Sequence, residues 1–382
     1  MIPRFFRSRG QFLTVLLAAL VAGGAAKAEE TPRLDDIARL LAGLPGRSGS
    51  AYLDMETREV WKQYASDFSE SWKVTAGRFP KMREFQAAQL NAAAVRQGAM
   101  FYPFGGPDVM NALLMFPDNP TSILVGLEPV GTLPDYETVH ARMNQMLAGM
   151  RESLYSLMHR SFFITREMDS SLRGQLFDGV LPALVVQLAR MDQELLGMSM
   201  VSVVDGGRLA PWDRTAPGAR TVRNRGVEIL FRKPGSTRVQ RLYYFSVDLG
   251  PRLEHNQPFQ EYLTLQAPLA TFFKSTSYFP HDEKFGFLNR KVLELSHTVL
   301  QDDSGIPYRF FTEDHWQVEL YGAYEKPYGS FHFRVQPDLR RAYTTPGVAK
   351  PLEFRIGYGF GKVPSNLLLA RRKPQAGTGA AK

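Results

Sequence analysis

Not one cysteine occurs among the 382 residues, so this chain can be held in shape only by buried apolar surface, never by disulfides. The constraint is sharp because the N-terminus reads as an export signal, and exported chains often rely on such cross-links. Arg4, Arg7 and Arg9 form a positive region, Phe12 to Ala22 a short apolar core, and Ala26-Lys27-Ala28 an A-x-A cleavage site. The apolar run falls short of the roughly 20 residues a spanning helix needs, so cleavage after residue 28 is expected. The remaining 354 residues (382 less 28) are long enough to bury one large or two ordinary cores. Export without cysteine points to a bacterial periplasm or medium, and it excludes zinc-thiolate sites, iron-sulfur clusters and thiol nucleophiles.

The formal charge of +8 owes four of its positive residues to residues 1–28, leaving +4 on the rest. No basic face for nucleic acid is expected from so small an excess. Later apolar stretches are short; the longest, Gly179 to Leu188, contains Pro182 and ends near Arg190, so no transmembrane span is expected after signal cleavage.

The pattern along the chain predicts an α+β fold, with a helix-rich N-terminal part at 29–204 and a mixed sheet with helices at 227–370, the two possibly sharing one core. Residues 205–226, rich in Gly, Pro and Arg, read as a linker or long loop, and 371–382 as a disordered basic tail. Val139, Met143, Met146, Met150, Leu154 and Leu157 form one helical stripe behind an N-cap at Asp135. A second helix is expected over 176–196. Ahead of both helices, 99–104, 109–116 and 121–127 read as strand, helix and strand, a unit suited to parallel pairing. Strands at 227–232 and 239–249 flank Lys233-Pro234-Gly235-Ser236, a hairpin signal. Helices are expected at 259–273, interrupted by Pro268, and at 283–300; strands at 316–324 and 352–358.

Two punctuated loops carry the candidate site. In Tyr102-Pro103-Phe104-Gly105-Gly106-Pro107-Asp108, paired glycines after a strand let backbone approach a ligand, with Asp108 a helix cap or a ligand contact. In Gln301-Asp302-Asp303-Ser304-Gly305-Ile306-Pro307-Tyr308-Arg309, two adjacent acids need a positive partner. Arg309 would make that loop a structural ion pair; a bound cation or amine is the alternative. Residues 274–282, beginning Lys274-Ser275-Thr276-Ser277, are explained by helix capping. The aromatic group Trp316, Tyr321, Tyr324 and Tyr328 with Glu319 and Glu325 has the make-up of a sugar site or, more simply, of a core. G-x-S-x-G, H-E-x-x-H, EF-hand and Walker patterns are missing, the seven histidines show no ligand spacing, and no metal site is expected. Gly357 to Lys362 reads as a glycine-containing strand and not as a phosphate loop.

The same two loops, with Leu127-Glu128-Pro129-Val130-Gly131, resemble recurring segments of an uncharacterised group of exported bacterial proteins, over most of the chain from about Gly98 to Ala370. The resemblance implies one architecture and assigns no activity. The expectation is a soluble periplasmic or secreted protein that binds a small molecule or envelope component through Tyr102, Asp108, Asp302, Asp303 and Arg309. The alternative is a carboxylate-dependent hydrolase of envelope polymers or esters.

Overall fold

In the computed structural model of the chain, residues 33–92, 95–96, 98–160, 178–360 and 364–374 are described; the expected signal peptide lies outside them. They form an α+β fold around one sheet. The helices in chain order are α1 (Leu34–Leu41), α2 (Leu53–Glu56), α3 (Glu59–Ala76), α4 (Phe79–Gln89), α5 (Val109–Met115), α6 (Tyr136–Arg160), α7 (Leu181–Arg190), α8 (Gln257–Leu265), α9 (Gly286–Leu295) and α10 (Pro337–Thr344). The strands are β1 (Ala99–Tyr102), β2 (Thr121–Gly126), β3 (Glu194–Val204), β4 (Arg208–Pro211), β5 (Arg225–Arg232), β6 (Gln240–Ser246), β7 (Leu269–Phe273), β8 (Ser296–Gln301), β9 (Trp316–Gly322), β10 (Ala349–Lys350) and β11 (Asn366–Arg372).

The sheet order is β10-β9-β11-β8-β7-β1-β2-β6-β5-β3-β4. Its five central strands, β8-β7-β1-β2-β6, run parallel. Antiparallel strands extend it on both sides: β11 and β9 beyond β8, and β5, β3 and β4 beyond β6. Central parallel strands are covered on both faces and so read as unbroken apolar runs. In β1, Met100 and Tyr102 pack into one layer with α1, α3, α5, α6 and α7, while Ala99 and Phe101 pack into the opposite layer with α8, α9 and α10.

That two-sided burial explains where the sequence reading needs correction. Leu269-Ala-Thr-Phe-Phe273, expected as helix, is a strand in which all five residues are buried; the helix before it stops at Leu265, short of Pro268. The helix expected to reach residue 300 ends at Leu295, and Ser296–Gln301 is β8. Likewise α7 covers only Leu181–Arg190, and Glu194 to Leu196 open β3; residues 176–177 lie outside the described set. In β7 the short apolar run shows no period of its own, and in each case the strand follows closely on a helix, so the segment reads as that helix continued.

Residues 205–226 are more than a linker, since β4 pairs with β3 there. Residues 352–356 form no strand, and Gly357–Phe360 is a 3-10 turn. Arg371 and Arg372, expected in a disordered tail, belong to β11, where Arg371 donates to Glu319 and Arg372 lies over the Trp316 ring; residues 375–382 are outside the described set. The Asp135 cap is present, its carboxylate accepting from the Thr138 amide at 2.7 Å. The β1-α5-β2 unit and the hairpin turning at residues 233–236 form as the pattern predicts.

Candidate functional site

The chain leaves β1 toward one face of the sheet, through α5, and leaves the neighbouring β7 toward the other face, through α9. Loops that diverge in this way open a crevice at the carboxyl ends of the strands, the place where open parallel sheets bind ligands. A cavity of about 140 Å³ lies there.

Asp108 and Lys274 meet in its wall. The Lys274 Nζ is 2.9 Å from Asp108 Oδ2, with both side chains only 2% exposed. The same Oδ2 accepts from the Tyr102 hydroxyl at 2.8 Å, and Oδ1 accepts from the Asn111 amide at 3.2 Å and its Nδ2 at 2.9 Å. Asp108 is therefore both the cap of α5 and half of a buried ion pair. Burial, then the Asp108 charge, raises the Tyr102 hydroxyl well above its ordinary pKa, so it stays a donor. Arg78, lowered to about 10 chiefly by burial, stands behind Asn111.

Asp302 and Asp303 sit one strand away and do not line the cavity. Asp302 Oδ2 accepts from the Ser275 amide at 2.8 Å and Oδ1 from the Ser304 amide at 3.0 Å and the Ser304 hydroxyl. Asp303 accepts from the Tyr278 hydroxyl at 2.6 Å and from Asn366 Nδ2 at 2.9 Å, joining β8 to β11. Burial raises both carboxyls, Asp303 to about 7, and the Asp302 charge pushes Asp303 further in the same direction.

These bonds hold a loop in which Ser275, Ser277 and Tyr278 all have φ between 52° and 55°. Such left-handed non-glycine residues cost about 1–3 kcal/mol each and persist only where surrounding contacts dictate them. Here the Ser275 amide is tied to Asp302 and the Ser277 amide to the Tyr358 hydroxyl at 3.0 Å. Ser275 lines the cavity, while its hydroxyl is buried beside Gly357 and makes no hydrogen bond to a described residue.

The remaining walls come from β2 and β6. Glu128, 8% exposed, follows β2; the Tyr244 hydroxyl donates to its carbonyl at 2.8 Å and approaches Oε2 at 3.3 Å, while Oε1 accepts from no described residue. Gly126 must be glycine for Glu128 to stand there, because a Cβ would lie 2.4 Å from Oε2. Gly106, at φ 53°, faces the same carboxylate. Val247 and Leu249, beyond β6, and the mutually packed Phe104, Phe279 and Phe285 supply the apolar surface.

Of the residues named from sequence, Tyr102 and Asp108 line the cavity, and Asp302 and Asp303 support the loop beside it. Arg309 does neither. It lies over the Phe310 ring, beside a separate open hollow with His281 and Arg334, and no ion pair joins it to either acid among the described residues. The expected Arg309 ion pair is thus corrected: the cation acting on Asp302 is Lys274, because Asp302 follows a strand adjacent to β7 and not the end of a helix. Trp316, Tyr321 and Tyr324 are buried, and Glu319 is bonded to Lys350 and Arg371, so that aromatic group is core.

Lys274, Ser275 and Glu128 were missed as site residues. Each immediately follows a central strand or lies within two residues of its end, a signal that requires β7 to be recognised for Lys274 and Ser275 and the strand order to be known for Glu128. No group of three or more His, Asp or Glu residues is placed to hold a metal ion, and no helix is long and apolar enough to cross a membrane, among the described residues. Compared with known proteins, the chain matches no family model, no curated protein and no solved structure.

Proposed function

We propose that this is an exported, periplasmic protein that binds a small molecule, and that the ligand occupies the crevice between the loops following β1 and β7. The observation that carries this reading is the cavity's position, at the carboxyl ends of parallel strands where the connections part to opposite faces. Its polar groups suit a ligand rich in hydroxyls or bearing positive charge. Asp108, Glu128 and Asp248 bring three carboxylates to the wall, against Lys274, which Asp108 already engages. The N-terminal signal pattern and the resemblance to exported proteins support the location.

A thermal-shift panel of nucleosides, monosaccharides, amino acids and polyamines tests the reading. At least one compound is expected to raise the Tm of the wild-type protein and to lose that effect in Leu127→Trp, which places a bulky ring at the rim, where Leu127 is 64% exposed. A panel without any shift, or shifts that survive in Leu127→Trp, would contradict it.

A further inference from the structure

Numbered in chain order, the five parallel strands lie as third, second, first, fourth, fifth: β6-β2-β1-β7-β8. This is the order of doubly wound sheets in which a nucleoside lies across the ends of the first two strands. In such sites a glycine turn follows the first strand, and an acid about 20 residues further on takes the ribose hydroxyls. Here Gly105 and Gly106 follow β1, and Glu128 stands 22 residues beyond Gly106, just after β2. The correspondence is physical as well as numerical. Gly106 and Gly126 clear the space around the Glu128 carboxylate, and Oε1 has an acceptor position to spare.

The usual phosphate half of such a site is missing. Its first helix spans only seven residues, and the Asp108 carboxylate caps it, taking the Asn111 amide. A phosphate would meet the Asp108 and Glu128 carboxylates with Lys274 already committed to an ion pair. Resting on the ligand-binding reading above, we infer that the crevice takes a nucleoside whose 5′ substituent is neutral or cationic, with the ribose diol on Glu128 and the base against Val247 and Leu249.

Titration calorimetry on the full exported chain tests this with adenosine, guanosine, cytidine and S-adenosylmethionine against ADP and 2′,3′-dideoxyadenosine. Binding of at least one nucleoside is expected, adenosine or S-adenosylmethionine first, with ADP weaker. Removing the diol, or replacing Glu128→Gln, is expected to weaken binding roughly tenfold or more, the size of a lost hydrogen bond to a charged acceptor. The dideoxy probe keeps the test valid even if the variant folds poorly. The inference is overturned if no nucleoside binds, if ADP binds as tightly as adenosine, or if loss of the diol leaves affinity unchanged. Should a compound of another class shift the wild-type Tm and lose that effect in Leu127→Trp, this inference falls while the crevice remains a binding site; if nothing binds there, both fall.

Discussion

Replacing Lys274 with methionine is expected to destabilise the folded protein by about 3–5 kcal/mol, the usual cost of stranding one partner of a buried ion pair. The Asp108 carboxylate would keep the Tyr102 and Asn111 donors but lose its counter-charge at 2.9 Å, in a site where neither side chain reaches water. Asp302 would lose the same cation. Asp108→Asn should also destabilise, since it takes away the carboxylate charge 2.9 Å from the buried ammonium. The double variant, Asp108→Asn with Lys274→Met, should lose clearly less than the sum of the two, because it removes both charges together. Urea denaturation of the three variants measures this directly; additive losses, within about 0.5 kcal/mol, would show that the pair is not coupled.

Stability should respond to pH through buried groups that oppose each other, Asp302 and Asp303, both raised by burial, against His281, which burial lowers. Native Asp303 holds its proton up to about pH 7, whereas an unfolded aspartate releases it near 3.8. Between those values the native state binds the extra proton, so this residue makes stability fall as pH rises. His281 acts the other way. Burial lowers it from 6.5 to about 4, its ring nitrogen lying 3.1 Å from the Asp303 carbonyl. The unfolded state then binds more protons between pH 4 and 6.5, so this residue makes stability rise over that window.

Asp303 and His281 together should therefore change wild-type stability little between pH 4 and 6.5, and stability should decline from there to about 7. Asp303→Asn, which can still bond Tyr278 and Asn366, removes one of the two raised carboxyls and should tilt the profile toward stability that rises with pH relative to wild type; His281→Asn should tilt it toward a steeper fall. The full span of the Asp303 effect is on the order of several kcal/mol. Melting curves from pH 4 to 8 decide the matter, and parallel profiles for wild type and Asp303→Asn would contradict it.

Both predictions concern residues whose importance was only partly legible along the chain. The punctuated loop at 102–108 could be read because its strand, turn and cap signals are local, and all three act within ten residues. Lys274 could not, because Leu269 to Phe273 is apolar at every position but Thr271 and follows a real helix, so nothing local separates a buried strand from a continuing helix. With β7 read as helix, Lys274 becomes a helix-exit residue, and the cation for Asp302 and Asp303 is sought in Arg309, the nearest in sequence. The Asp108–Lys274 pair spans 166 positions, and only the sheet order joins them. Glu128 was hidden for a similar reason: an acid after a strand means little until the strand is known to lie beside the first one.

Amide hydrogen exchange tests the central claim most directly, comparing the full chain alone with the chain saturated by whichever panel compound raises its Tm most. Protection is expected over 102–108, 125–128, 247–249 and 274–277, the four segments that end parallel strands around the cavity. Protection confined to other surfaces, such as the hollow beside Arg309, with these four segments unchanged, would contradict the account.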